Sequence, residues 1–267
     1  MILLTGHEGF IGKNFLSALE GQDIITVEKD DIKTFLEEFD EWEKVSLILH
    51  QGAISDTTET DINLIHEYNV NLTLKLFENA IEYGIPVKYA SSASIYGNLH
   101  EHINPLNYYA ISKLQIDYWV LDNIDRFKFI QGFRYFNVYG KGEEHKGDQA
   151  SPISKFHKEL RETAKIKVFE GSDKFLRDFI CVDDVVDIVL NNKEKSGIYD
   201  LGTGHSVSFE YIAELLVEKY GGKIDNVIEH IPFPEHLKEK YQFFTQADMY
   251  WSREYKFTTV EEYINKL

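Results

Sequence analysis

The chain has 267 residues, with 28 Lys and Arg against 45 Asp and Glu, a formal net charge of −17. That balance excludes a nucleic-acid partner, because a phosphate backbone needs a positive footprint that this surface would repel. The lone Cys181 cannot form an intrachain disulfide, no apolar run approaches the ~20 residues that cross a bilayer, and Met1–Leu4 carries no basic signal region, so the expectation is a cytoplasmic protein without membrane contact.

Met1–Thr5 reads as an apolar strand, followed by a glycine turn and a helix over Ile11–Leu19. Asp23–Val27 is a second strand. Apolar residues at Ile32, Phe35, Leu36 and Phe39 have helical spacing and predict a helix over Ile32–Trp42. Val45–Leu49 is the third strand, Leu64–Tyr83 a long helix, Val87–Ala90 a strand, Tyr109–Asn123 a helix and Phe127–Arg134 a strand. This alternation predicts an α/β fold, a doubly wound parallel sheet whose ligands bind beyond the carboxyl ends of the strands. After Gly140 the rhythm changes: a helix over Ile153–Thr163, a short strand over Ile166–Phe169, a return segment over Asp178–Leu190 and a helix over Phe209–Tyr220. The predicted division is 1–140 plus 178–204 as a dinucleotide-binding domain, and 141–177 plus 205–267 as a smaller, discontinuous α/β substrate-binding lobe.

Gly6, Gly9 and Gly12 lie between the first strand and the first helix. Glycines at this spacing permit a tight turn, close backbone approach to a pyrophosphate and close helix–strand contact, and the helix N-terminus offers free N–H groups and partial positive charge. Phe10 and Ile11 share that turn. His7 and Glu8 stand where small residues are usual, and Glu8 is expected to point outward, since its carboxylate would repel a pyrophosphate. Glu28 ends the second strand, about 20 residues beyond the glycines, where an acid accepts both ribose hydroxyls and disfavours a 2′-phosphate. The cofactor is therefore NAD or NADP, with Glu28 favouring NAD while Lys29 and Lys33 beside it could reverse that preference.

Tyr109 and Lys113 are four residues apart and share a helix face. A free tyrosine ionises near pH 10, and a nearby ammonium together with a cationic nicotinamide lowers that toward the working range of a base. Ser92, after the strand Val87–Ala90, can donate to the same substrate oxygen.

The cradle, Ser92, Tyr109 and Lys113 together resemble the extended short-chain dehydrogenase/reductase family of nucleotide-sugar enzymes, within it the nucleotide-heptose 6-epimerases. The resemblance runs nearly end to end: His50–Glu59 (HQGAISDTTE), Tyr89–Gly97 (YASSASIYG), Asn104–Lys113 (NPLNYYAISK), Phe133–Gly140 (FRYFNVYG), His145–Gly147 (HKG), Phe169–Asp178 (FEGSDKFLRD), Tyr199–Gly204 (YDLGTG) and Ile231–Asp248 (IPFPEHLKEKYQFFTQAD). It implies a Rossmann-type fold, a nucleotide-sugar substrate, an epimerase reaction through a transient ketone, and a homo-oligomer. Tyr109 and Lys146 would be the two acid/base groups, Lys113 would orient the nicotinamide ribose, and Ser92 would polarise the reacting oxygen. Gln51, Gly52, Ala53, Ile54, Ser55, Asn69 and Val138 would join Gly6, Gly9, Phe10, Ile11, Gly12, Glu28 and Lys29 around the cofactor. Asn137, Lys155, Phe169, Glu170, Gly171, Ser172, Arg177 and Tyr241 would hold the sugar nucleotide. No metal ligands are expected.

Three departures stand out. Related 4,6-dehydratases carry an Asp-Glu pair after the strand serine, whereas this chain has Ala93-Ser94, which favours epimerisation. The segment between Glu28 and Val45 is short for the family, and Asp30-Asp31-Ile32 stands where another strand is usual. Asp148 and Lys155 replace a small hydroxyl residue and a histidine, which leaves another nucleotide sugar open. The competing readings are an NAD-dependent 4-epimerase or other oxidoreductase, and a noncatalytic dinucleotide-binding module. For Phe169 and Tyr241 the plainer alternative is core packing, and for Arg177 an ion pair with Asp178 or a neighbouring acid.

Overall fold

A computed structural model describes residues 1–98, 102–235, 241–248, 251 and 254–267. Contacts divide the chain into two compact units: Met1–Ile95, Asn107–Tyr135 and Val186–Tyr199 form one, and Tyr96–Leu106, Phe136–Val185 and Asp200–Leu267 the other.

The first unit begins with β1 (Ile2–Thr5), α1 (Phe10–Ala18), β2 (Ile24–Val27), α2 (Ile32–Glu38) and β3 (Leu47–His50). It continues with α3 (Ile62–Ile65), α4 (Leu72–Glu82), β4 (Val87–Ser92), α5 (Tyr108–Asn123) and β5 (Ile130–Tyr135). Pairing is parallel between β2 and β1, β1 and β3, β3 and β4, and β4 and β5. The sheet order is β2-β1-β3-β4-β5-β9, where β9 spans Gly197–Leu201. Leu3, Ile48, Val87 and Ile130 on adjacent strands are buried with Leu76, Phe77 and Ala80 of α4, as expected of a sheet covered by helices. β2 is the outermost strand, so the short segment after Glu28 supplies α2 and no further strand.

Boundaries shift by a few residues in several elements, β3 and β5 among them, and three of the differences bear on the site. The helix predicted over Ile32–Trp42 ends at Glu38, because Phe39 turns extended and Phe35, Phe39 and Trp42 gather into one aromatic cluster. The helix predicted over Leu64–Tyr83 is broken by a π-turn over His66–Asn71 between α3 and α4. Such turns mark functional sites in many helices, and this one carries the buried Asn69. β4 continues past Ala90 to Ser92, so the serine ends the strand itself.

The second unit contains β6 (Asn137–Tyr139), α6 (Pro152–Thr163), β7 (Ile166–Phe169) and β8 (Leu176–Cys181). After α7 (Val182–Asn191) come β10 (Ser206–Ser208), α8 (Phe209–Lys219), α9 (Ile224–Val227), β11 (Ile228–Ile231) and α10 (Val260–Lys266). β8 pairs parallel with β6 and antiparallel with β10, and β11 lies parallel to β7. Residues 96–106, 136–140, 178–185 and 200–204, which the sequence division gave to the dinucleotide-binding domain, group with this unit, where β6 and β8 pair with each other. Ile212, Leu216, Ile166, Ile264 and Cys181 share its core, and burial pushes the Cys181 thiol up to about 11.

Candidate active site

The predicted cradle is built from close backbone approach. Gly6 has φ +71°, and a Cβ there would lie 2.6 Å from the Gly52 Cα. A Cβ on Gly12 would lie 2.0 Å from the Gly6 carbonyl oxygen. Gly9 starts α1 without a side-chain cap, which leaves the first-turn N–H groups for an anion. A dinucleotide phosphate fits this geometry. Phe10 is buried, so only its backbone faces the turn, and Glu8 is exposed as expected. Glu28 lies just past β2 and accepts the Glu8 N–H at 2.7 Å. Its Oε1 also stands 3.1 Å from His7 Nδ1, a pairing that sequence reasoning missed although the two residues flank the turn. Lys29 and Lys33 lie over the Tyr68 ring, and Lys33 is paired with Glu67 at 3.1 Å.

After β3, Gln51–Ser55 are brought against the same turn. The Gly52 N–H donates to Thr5 Oγ1, and Gln51 Oε1 accepts the Tyr135 hydroxyl at 3.0 Å. Gln51 Nε2 is buried with no partner among the described residues, as a donor awaiting a ligand would be. The Asn69 side chain accepts the Ile54 N–H at 2.7 Å and donates to the Ile54 carbonyl and Ser112 Oγ, each at 3.0 Å, so it fixes the loop that carries Gln51–Ser55. His50, between Thr5 Oγ1 at 2.7 Å and Thr73 Oγ1 at 2.9 Å, is held neutral: burial and the Lys113 charge take it down to about 3.

Ser92, Tyr109 and Lys113 come together at the end of β4. The Asn107 side chain caps α5 by accepting the Ala110 N–H, which sets Tyr109 in the first helical turn. The Ser92 hydroxyl is near enough to the Tyr109 phenol to favour its ionised form. Lys113 is 5% exposed; its Nζ donates to the Ala90 carbonyl at 2.8 Å and stands 5.9 Å from the centre of the Tyr109 ring. Burial lowers Lys113 to about 8, offset by the charge of Asp117. The expectation that Lys113 makes Tyr109 acidic needs correction in the free protein. Burial raises the Tyr109 pKa, and the opposing pull comes from the neighbouring Ser92 hydroxyl.

The predicted sugar-side residues fall in the second unit. Arg177 Nη1 reaches Asn137 Oδ1 at 3.3 Å and Gln242 Oε1 at 3.4 Å, and the guanidinium lies 5.3 Å from the Tyr241 ring centre. Its Nε is buried without a partner, and no carboxylate among the described residues pairs with it. The alternative ion pair with Asp178 is absent. Asp178 is fully buried and instead accepts Thr203 N–H and hydroxyl, Gly204 N–H and Ala247 N–H, at 2.7 to 2.9 Å. A mostly buried guanidinium with no acid paired to it among the described residues is suited to an anionic ligand. Asn137 donates to the Asp178 carbonyl and to Thr245 Oγ1, both at 3.0 Å, so it steadies Arg177.

Phe169 and Tyr241 belong to an aromatic group with Phe175, Phe233 and Phe243, centroids 5.1 to 5.7 Å apart. Packing thus accounts for much of both residues. Gly171 turns at φ +85°, Glu170 is exposed, and the Ser172 hydroxyl, expected to meet substrate, is buried and donates to Glu210. Lys155 is exposed on α6, and Val138 is partly buried on β6. Lys146 lies on a tight loop held by the buried Glu143, whose carboxylate accepts Gly140 N–H, Ser151 N–H and Ser151 hydroxyl. Burial lowers the Lys146 pKa, and Glu143 opposes the shift. Glu143 sits in a charged run, Lys141–Lys146, that gives no sign of burial. The side chain of Asp148, and residues 236–240 within the Ile231–Asp248 stretch, lie outside the described residues. Among the described residues no group of three His, Cys, Asp or Glu is placed to hold a metal, and no helix is long and apolar enough to cross a membrane.

Residues 2–202 match the NAD dependent epimerase/dehydratase family. The chain is 37% identical to the ADP-L-glycero-D-manno-heptose-6-epimerase of Alkalilimnicola ehrlichii, over 93% of this chain and 89% of that protein. It is 38% identical to the protein of the same name from Brachyspira hyodysenteriae, over the same shares. Its fold is similar to the crystal structure of Helicobacter pylori ADP-L-glycero-D-manno-heptose-6-epimerase, with a TM-score of 0.82 and 25% identity, covering 99% of this chain and 94% of that one. The chain belongs to the NAD dependent epimerase/dehydratase family and is an enzyme of that family.

Proposed function

We propose that the protein interconverts ADP-L-glycero-D-manno-heptose and its C6″ epimer. The observation that carries this reading is the Ser92–Tyr109–Lys113 arrangement at the end of β4, supported by relatives of 37–38% identity bearing that name. The first unit takes the dinucleotide and the second the nucleotide sugar. In the first, Gly6, Gly9 and Gly12 admit the pyrophosphate, and Glu28 meets the adenosine ribose, which favours NAD over NADP. In the second, Arg177 is the cation for the substrate diphosphate, a local positive charge in a protein of net charge −17.

Ser92 donates to the C6″ oxygen and Tyr109 takes its hydroxyl proton as the C6″ hydride departs, leaving a ketone on the sugar. NAD, when bound, would accept the C6″ hydride and return it to the opposite face, and its positive ring charge would offset the burial that holds Tyr109 protonated. Lys113 holds the nicotinamide ribose, and Lys146 delivers the proton that regenerates the hydroxyl. No net oxidation occurs. A cytoplasmic, homo-oligomeric enzyme is part of this reading.

The test incubates the protein with ADP-L-glycero-D-manno-heptose and a panel of UDP-hexoses and follows each carbon by NMR. Inversion at C6″ of the heptose alone supports the proposal, and inversion only at C4″ of a hexose overturns it.

A further inference from the structure

The catalytic helix itself carries a second buried charge that the mechanism above does not use. Asp117 is 1% exposed, one helical turn beyond Lys113 and two beyond Tyr109 on α5. Its carboxylate is clamped from two strands: the Tyr89 hydroxyl of β4 donates to Oδ1 at 3.0 Å, and Arg134 Nε of β5 donates to Oδ2 at 2.8 Å. Room for this clamp is built into the sheet. Tyr89 pairs in register with Gly132 of β5, where a Cβ would lie 2.4 Å from the Tyr89 ring and hydroxyl. Any larger residue at 132 would evict the phenol from Asp117.

Burying a carboxylate is costly unless it is paired, and one cation already satisfies Asp117. A second one, Lys113, stands a turn away with a neutral carbonyl, that of Ala90, as its acceptor. Resting on the assignment of Tyr109 and Lys113 above, we propose that Asp117 is a positioning residue for the reaction: clamped by Tyr89 and Arg134, its carboxylate keeps Lys113 charged and seated on Ala90 beside Tyr109. Both groups are buried one helical turn apart on α5; burial disfavours the Lys113 ammonium, and the Asp117 charge is the group that opposes that shift. A neutral Lys113 could neither support a phenolate nor hold a ribose hydroxyl as a cation. The titratable and charged groups around Lys113 are Tyr109 and Asp117 on α5, His50 at the end of β3, Tyr89 on β4 and Arg134 on β5. His50 is held neutral, and Glu67 of the adjoining π-turn is paired with Lys33. Asp117 is therefore the counter-charge available to Lys113.

The experiment follows the Lys113 ammonium directly by [ε-15N]lysine NMR across pH, assigned by its loss in Lys113→Met, alongside the pH dependence of turnover of ADP-L-glycero-D-manno-heptose. In Asp117→Asn the Lys113 titration is expected to move down by about one to two pH units, as for a unit charge about one helical turn (~5–6 Å between side-chain stems) away at an effective dielectric near 20. The alkaline limb of kcat moves with it, while KM for the sugar nucleotide stays within about twofold. Arg134→Gln, which removes the competing cation, is expected to move Lys113 the other way, and Asp117→Glu to restore it. Opposite signs in two variants that each break the same ion pair cannot come from loss of stability alone. A Lys113 titration unmoved in Asp117→Asn overturns the proposal. If Asp117→Asn fails to fold, a downward or absent shift in Arg134→Gln overturns it equally. If the wild type turns over no heptose, the function assigned above fails while the NMR result still decides the role of Asp117.

Discussion

The two compact units secure their polar groups in different ways. In the first, the groups that matter sit at the ends of parallel strands and on one helix face, and each is fastened to a neighbour on an adjacent element: Lys113 to Ala90, Asn69 to Ile54, His50 to Thr5 and Thr73. In the second, three short strands and their loops are gathered around one buried carboxylate, Asp178, which accepts N–H groups from positions 203, 204 and 247. A regular sheet spreads its tolerance over many small fastenings, whereas a loop-built lobe concentrates it in a few hubs. The assigned roles divide the same way, with the reaction in the first unit and the grip on the anionic ligand in the second.

That contrast can be broken by measurement. Tyr109→Phe is expected to lower kcat by about 10²- to 10⁴-fold with KM for ADP-L-glycero-D-manno-heptose unchanged, because it removes a proton-transfer group and little shape. Steady-state kinetics would contradict the division if KM rose in step. Asp178→Asn should cost about 2–3 kcal/mol of stability in denaturant titration, since its amide nitrogen turns a donor toward donors. A loss below ~0.5 kcal/mol, within the range of an ordinary surface change, would deny the carboxylate its role as hub. Arg177→Met is expected to raise KM about 10- to 100-fold, the worth of a charge-assisted phosphate contact, with kcat changed little. An unchanged KM would move the diphosphate elsewhere.

The smallest effect concerns pH. His50 is neutral in the fold with its pKa near 3, against an ordinary value of 6.5. The unfolded chain therefore binds one more proton between those values, so this contribution is present above about pH 6.5 and is lost as pH falls toward 3. The loss is about 1.4 kcal/mol per pH unit. Denaturant midpoints for wild type should fall more steeply between pH 6.5 and 5 than those of His50→Gln, and parallel slopes would remove His50 from the account.

The parts of the fold written in short-range spacing were legible in the chain. Gly6, Gly9 and Gly12 lie between a strand and a helix, and Tyr109 and Lys113 are one turn apart, so sequence distance already measures distance in space. The π-turn was not legible, because apolar periodicity runs straight through His66–Asn71 and only the bonds from Asn69 to Ile54 and Ser112 accompany the irregularity. Asp117 reads as a solvated helix residue until Ile116 and Val120 are seen buried around it. Asp178 was assigned a possible partner at its neighbour Arg177, yet its partners lie 25 to 69 positions away. His7 and Glu28 were each noticed for a separate reason, and nothing in their spacing joined them.

Cys181 has a practical consequence. The chain's one thiol is 2% exposed, in the core beside Phe179 and Tyr139, and burial keeps it protonated at neutral pH. Maleimide and iodoacetamide dyes react with an exposed thiolate, so the native chain should stay colourless to them. A cysteine introduced at Glu20 or at Glu229 would then be the single labelled position, and such a pair would serve as the two ends of a fluorescence ruler, with no need to delete the natural sulfur first.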